Sequence, residues 1–478
     1  MKRTWVHIVA IALALISVLP ILVGCNSNEG SGVSSNSGST SGYQLPDVEL
    51  ENKILKFYVG MGTEFSSSEN GRPTADELFR DLYGGEIEFI NVSWDNYYPT
   101  LMGYYMSDDM PDLLWPMPET FPTDINNNLI QPIDDYSDYI DLSDPIWDST
   151  RELNETLTIN GKHFYALSQT GTNAFTCYNP KLFDLYGLET PLEIWTRDPQ
   201  EWTWEKMLEL AKELTDDTDQ DGKIDQWGIG IAANGPHIFQ ESTGVPFVSY
   251  SDETGVVNNI RSEEIADAAN FVRDLGAALH NVLDPAMSYE VPDQFLAGND
   301  AMILDFEWRI TSTFKELWKQ GKAEVAPVPR YSKTDKFYVG GVIFSYLIAN
   351  KAKNPEAAAL YMTLNMYTKS DAYKEAYGVA SEEERFKNYL EMGIPIEQCR
   401  LMEQMSQDKE TFPTVLNMWC GWYDKEWYNG FIDLQAETWS QILERVEPIF
   451  NRRIQSQKES FDLALETMIV ESSENVAE

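Results

Sequence analysis

Residues 53–94 read KILKFYVGMGTEFSSSENGRPTADELFRDLYGGEIEFINVSW, and their order of element types decides the fold class. KILKFYVGMG is an apolar run closed by glycines, which predicts a strand. The polar TADELFRDLYGG carries helix-forming residues and predicts a helix, and EIEFINVSW predicts a second strand. Strand, helix, strand is the unit of a parallel α/β sheet, whose functional loops gather at the carboxyl ends of its strands.

The same alternation continues along the chain. DNYYPTLMGYYMSDD predicts a helix after Asp95, and MPDLLWPMPETF a short buried strand running into an aromatic loop. NGKHFYALSQTGTNAFTCYN, from Asn160 to Asn179, reads as two extended segments about a polar centre. TWEKMLELAKEL, residues 203–214, places Trp204, Met207, Leu208, Ala211 and Leu214 on one helical face behind a Thr203 cap. WGIGIA predicts a strand. NPEAAALYMTLNMY predicts a helix capped by Asn354 with Pro355 in its first turn. Two helical patterns lie between Thr438 and Ser472, the first bent by Pro448 and the second capped by Ser460.

Between the 203–214 helix and the WGIGIA strand stands DTDQDGKID, residues 217–225, four aspartates in nine positions. Asp217, Asp219 and Asp221 take the first, third and fifth places of a D-x-D-x-D-G calcium loop, with Gly222 at the sharp turn. Lys223 would lend its backbone carbonyl, and Asp225 falls at the ninth place. The twelfth, where a bidentate glutamate belongs, is Gly228. Either a distant carboxylate completes the shell or affinity is low; the alternative is a polar loop whose aspartates face water.

Residues 1–24 carry Lys2 and Arg3 and then an uncharged, mostly apolar stretch ending in Leu22-Val23-Gly24-Cys25. This predicts a secretory signal. The Leu-x-Gly-Cys ending resembles a bacterial lipobox, which implies cleavage before Cys25 and a diacylglyceryl anchor on its thiol; an uncleaved membrane anchor is the competing reading. Residues 25–50 then begin with a Gly/Ser/Asn tract that predicts a flexible tether. Loss of the first 24 residues takes the formal charge from −42 to −44. So negative a surface repels nucleic acid and anionic lipid and favours neutral or cationic partners. Cys177, Cys399 and Cys420 remain in the body, an odd number, so disulfides do not carry the fold.

Several landmarks, taken in order, resemble the family 1 extracellular solute-binding proteins of ABC transporters, relatives of the maltose-binding protein. They are MPDLLWPMPETF, NGKHFYAL followed by CYNPKLFDLYGLETP, the Trp204-Glu205 helix with DTDQDGKIDQWGI, FLAGNDAMILDFEW (295–308), VAPVP, YVGG and KNPEAA. The resemblance implies an α/β, two-lobed, periplasmic-binding-protein-like fold of type II with hinge-crossing segments. Residues 51–170 with 331–380 would form lobe 1, and 171–330 with 381–478 lobe 2. It implies a monomer, anchored outside the cell membrane through Cys25, that captures a carbohydrate (an oligosaccharide) and passes it to ABC permease subunits. In that picture Trp308 presents an indole to a sugar ring, with Asp305 and Glu307 beside it for hydroxyl groups. Trp115 and Glu119 line the cleft from the other lobe. Glu64, Gln169 and Asn173 add polar contacts, and Trp422 offers a second stacking surface. The calcium loop would lie away from the cleft, and its metal would be structural. Residues 381–437 carry no landmark.

Paired carboxylates beside tryptophans also describe a lipid-anchored glycoside hydrolase, and an acidic surface also suits a peptide-binding or adhesion lipoprotein. Against catalysis, the sequence has no G-x-S-x-G, H-E-x-x-H or G-x-x-x-x-G-K-[ST] pattern, and its four histidines are His7, His163, His237 and His280, the first within the signal. Against a peptide, a tryptophan at the AMILDFEW position fits a ring better than an extended backbone.

Overall fold

The computed structural model describes residues 43–475 except 61, 69, 94–95, 117–120, 173, 232–234, 252, 281–289 and 418–436. Cys25, Glu119, Asn173, Cys420 and Trp422 therefore lie outside the described residues, as does the signal segment.

Lobe 1 is built on the predicted strand–helix–strand. β1 (Ile54–Gly60) pairs in parallel with β2 (Glu86–Val92), in register from Ile54 opposite Glu86 to Gly60 opposite Val92. Between them α1 (Ala75–Tyr83) opens with a capping box, Thr74 accepting from the Glu77 amide while the Glu77 carboxylate accepts from Thr74, and closes on left-handed Gly84. α2 (Tyr97–Met106) follows, and then β3 (Leu113–Leu114), parallel to β1. One face of this sheet is covered by α8 (Pro355–Tyr367), whose Ala357, Ala358, Leu360 and Leu364 are fully buried.

Lobe 2 holds a second four-stranded sheet. Its strands are β5 (Ala174–Tyr178), β6 (Trp227–Ile231), β7 (Asp300–Phe306) and β8 (Glu324–Ala326), in the order β8-β5-β7-β6. α3 (Pro180–Tyr186) follows β5, and α4 (Trp204–Glu213) starts on a Thr203 cap and buries Trp204, Met207, Leu210 and Ala211. α5 (Gly235–Glu241) and α6 (Glu263–Asp274) pack beside it, where the Trp204 ring stacks on Phe271 at 5.1 Å.

A third, three-stranded sheet joins the two. β4 (Gln169–Thr172) runs antiparallel to β9 (Val339–Phe344), which pairs in parallel with β11 (Thr414–Val415); β10 (Leu347–Ile348) then adds to the lobe 1 sheet against β3. These are the crossings. The second falls after Phe344 rather than at 331, because residues 331–338 pack on lobe 2: the Tyr331 ring lies 4.6 Å from Trp204, and Phe337 5.8 Å from Phe412.

Three further expectations are corrected. The tether stops short of residue 50: Leu50 is buried, Tyr83 donates to the Pro46 carbonyl at 2.8 Å, and Tyr43 packs on Tyr367. The carboxyl-terminal helices are one, α11 (Trp439–Asn475), with Pro448 inside it and Ser460 donating to the Ser456 carbonyl instead of capping. That helix does not belong to lobe 2 alone. Glu447 pairs with Arg261 of lobe 2, while Gln457 accepts from Asn126 of lobe 1 at 2.7 Å. Residues 387–407, unreadable beforehand, form α9 (Lys387–Met392) and α10 (Ile396–Gln407), and α10 docks on β8 through Gln398 accepting from the Val325 amide at 2.7 Å.

Candidate functional site

The carboxyl ends of β1 and β3 in lobe 1 and of β7 in lobe 2 lie toward the crossings, β5 running the opposite way. In lobe 2, β7 is buried from Asp300 to Asp305 and breaks at Phe306 into a short helix, α7 (Glu307–Thr313). Its first turn carries Trp308, which alone among the described tryptophans is exposed, at 45%. Trp147, Trp202, Trp204 and Trp318 are buried. An indole left in water at a strand end is not doing core packing.

The acids beside Trp308 are engaged by the protein. Asp305 is fully buried, accepts from the Phe306 amide at 2.8 Å and pairs with Arg309 at 3.2 Å. Burial outweighs the guanidinium and pushes its carboxyl up to about 6, so the pair is charged at neutral pH. Its side chain is an anchor and does not face a ligand surface. Glu307 accepts from the Tyr389 hydroxyl of α9 at 3.0 Å; burial raises its carboxyl and that hydrogen bond opposes the rise.

Strand register brings the first crossing to the same place. Ala174 of β5 lies opposite Phe306, so the chain enters lobe 2 beside the end of β7. Gln169 starts β4 opposite Phe344, and its buried Oε1 has no hydrogen-bond partner among the described residues. An unsatisfied buried acceptor costs about 1–3 kcal/mol, so a donor reaching Gln169 would be stabilising.

On the lobe 1 side the loop after β1 is held by Asn91, which accepts from the Thr63 amide at 2.9 Å and donates to its carbonyl at 3.0 Å. Ser66 donates its amide to buried Asp76 at 2.7 Å. Glu64 sits exposed in this loop. Trp115 follows β3, donates its amide to the Tyr58 carbonyl at 3.0 Å, and lies edge-on to Tyr346 with centroids 6.2 Å apart. Trp115 is half-buried, so part of its ring is lobe core. The structure thus gathers Asp305, Glu307 and Trp308 at one strand end with Gln169 near the crossing, and Trp115 and Glu64 on adjacent loops of the facing sheet.

Two charged groups at the crossings escaped sequence reasoning. Lys369 donates to Ser168 Oγ at 2.6 Å and Asn365 Oδ1 at 2.7 Å, and burial lowers its ammonium to about 7. Glu241, ending α5, accepts from Asn417 at 2.9 Å, and burial raises its carboxyl to about 7. Its Oε2 lies 2.0 Å from where a Cβ at Gly340 of β9 would stand, so any larger residue there requires the Glu241 carboxylate to move. Neither residue stood in a pattern that marked it.

The aspartate loop takes the turn expected of it. Gly222 has φ +91°, and its amide donates to Asp217 Oδ2 at 2.8 Å. Asp217, Asp219 and Asp225 each offer a carboxylate oxygen, all within 4.8 Å of one another. Asp221 turns aside: its Oδ1 accepts from the Lys223 amide at 2.9 Å. Asp225 accepts from the Thr218 amide and hydroxyl, which lowers its carboxyl. Three hard oxygen donors at this spacing fit calcium.

Two α/β lobes linked by paired crossing strands, with strand ends facing the links, define the class of two-lobed binding proteins. The family model described as bacterial extracellular solute-binding protein matches residues 75–382, and the chain belongs to that family. It is a family of binding proteins acting outside the cytoplasm, not of enzymes. Solved structures agree on the fold. An ABC substrate-binding protein from Listeria monocytogenes in complex with cycloalternan is 18% identical with TM-score 0.56, over 84% of this chain and 99% of that one. The sugar-binding protein MalE from Xanthomonas citri is 13% identical with TM-score 0.58, over 86% and 99%. The extracellular solute-binding protein from Staphylococcus aureus in complex with maltose is 11% identical with TM-score 0.58, over 85% and 98%. No curated protein sequence matches the chain. Among the described residues no helix is long and apolar enough to cross a membrane.

Proposed function

We propose that this protein captures a neutral carbohydrate, an oligosaccharide, between its lobes and hands it unaltered to an ABC permease, working as a monomer tethered to the outer face of the membrane through lipidated Cys25. The observation that carries the reading is the exposed indole of Trp308 at the carboxyl end of β7. The apolar face of a pyranose packs on such a ring, while its hydroxyls need polar partners at the rim. Gln169 and, from lobe 1, Glu64 supply such partners; Trp115, also of lobe 1, offers a second ring, and Glu119, Asn173 and Trp422 belong to the same proposal. The complexes of the Listeria and Staphylococcus proteins with cycloalternan and maltose support the ligand class. Closure of the lobes on the guest is the signal a permease would sense.

The test is a thermal-shift panel of neutral linear and cyclic glycans against basic peptides, with chromatography of each incubated glycan. A ligand that binds only the folded state raises Tm. The proposal expects a glycan to raise Tm and to be recovered intact; hydrolysis products, or a response to peptides alone, would refute it.

We further propose that Asp217, Asp219 and Asp225, joined by Asp221 and the Lys223 carbonyl once the loop tightens, hold a structural calcium ion. The mutual approach of the three carboxylates supports this.

A further inference from the structure

We propose that Arg309 is a positioning residue: it locks the Trp308 indole in the orientation a sugar ring requires and occupies one of its faces, so that a guest has only the other. The proposal rests on Trp308 being the ligand platform. Its own evidence is a continuous chain of contacts from the lobe 2 core to the exposed ring.

The chain begins at Asp305, fully buried at the end of β7 and fixed by the Phe306 amide at 2.8 Å. Arg309 Nη1 meets that carboxylate at 3.2 Å, and the arginine side chain is only 11% exposed. The same guanidinium lies over the Trp308 ring, with Cζ 4.9 Å from the ring centroid. A planar guanidinium can pair with a carboxylate and stack on an aromatic face at once, which an ammonium cannot.

Two consequences follow. An exposed tryptophan on the first turn of a helix would otherwise sample several rotamers, and a ligand would bear the cost of ordering it. Stacking on an arginine that is itself anchored in the core removes that cost before the guest arrives. The charge of Arg309 is also matched by Asp305, so the ring is covered by a paired cation and not by a free one.

Trp308 can be watched directly by fluorine NMR on protein labelled with 5-fluorotryptophan, its resonance assigned by its absence in Trp308→Phe. Arg309→Lys keeps the ion pair with Asp305 but loses the planar stack. The double variant Arg309→Met/Asp305→Asn removes the stack while leaving no buried charge, and serves if the lysine variant folds poorly. The ligand-free wild type is expected to give one narrow Trp308 line that broadens or splits in both variants. Affinity for the glycan found in the panel is expected to fall by about two- to five-fold, the range a partly exposed cation–π contact provides. A Trp308 line unchanged in both variants would overturn the proposal, as would a changed line with unchanged affinity. If no glycan binds the wild type, the ligand-platform reading fails on its own, and the ligand-free line still decides whether Arg309 fixes the ring.

Discussion

A Cβ at Gly228 would stand 1.8 Å from the carbonyl oxygen of Ala211. Helix α4 therefore lies against the start of β6 so closely that position 228 holds glycine for packing, although the calcium-loop pattern asks for glutamate there. The calcium-loop pattern and the helix–strand contact ask for different residues at one position, and packing prevails. Gly228→Ala is expected to destabilise the protein by about 3 kcal/mol or more, at the upper end of overpacking costs. Gly228→Glu should fail to fold instead of gaining calcium affinity. Urea melts of both variants check this; a Gly228→Ala midpoint equal to wild type would contradict the contact.

Calcium should stabilise the folded protein measurably. At about a hundred times its Kd, a ligand specific for the folded state adds about 2.7 kcal/mol. Tm should rise when calcium is added to chelator-treated protein, and Asp217→Asn or Asp225→Asn should abolish most of the rise. Equal melting with calcium and with chelator would exclude the metal.

Glu241 predicts a pH dependence of definite sign. Its folded carboxyl titrates at about 7, above the ordinary carboxylate range, because it is buried. The folded state thus binds the extra proton between about 4.5 and 7, and stability falls as pH rises through that window. Glu241→Gln removes the penalty: it should match wild type at pH 4 and exceed it at pH 8 by roughly 2–3 kcal/mol. Parallel denaturant melts across pH measure the difference, and a gap independent of pH would show that the carboxyl is not the cause.

Lys369 works in the opposite window. Its folded ammonium titrates at about 7, below the ordinary lysine range, through burial. The unfolded chain holds the extra proton between about 7 and 10.5, so stability rises with pH there. Lys369→Met should be the more stable protein at pH 7, by up to about 4 kcal/mol less what the lost hydrogen bonds to Ser168 and Asn365 contribute, and should lose that advantage by pH 10.5. The same series of melts checks it; an advantage that persists at pH 10.5 would assign the effect to packing.

Local signals read from the sequence survived wherever one face of an element decides its place. The 53–92 unit, the Thr203-capped helix and the WGIGI strand all stand where apolar spacing put them. Asn354 marks the start of α8 but does not cap it: its side chain donates to the Asn52 and Ile54 carbonyls, a tertiary choice invisible locally. Ser460 was misread for a related reason, since packing on both lobes holds α11 continuous through a position that alone would favour a break. The place of Trp308 at a strand end was legible because the apolar AMILDF run before it predicts the strand. The partners of Asp305 and Glu307 were not. Arg309 is four residues from Asp305, but Tyr389 is 82 residues from Glu307 and comes from a segment without landmarks. In a chain with 77 acidic residues, which carboxylate is buried is decided by tertiary neighbours and not by composition.

If a sugar packs on the Trp308 indole, removing that ring must cost affinity. Isothermal titration of the glycan selected in the panel, into wild type and into Trp308→Ala side by side, tests this most directly. The stacked ring predicts at least about a tenfold loss of affinity, about 1.4 kcal/mol, in a variant whose ligand-free melting temperature stays near wild type because the ring is exposed. Equal affinities in the two proteins would contradict it.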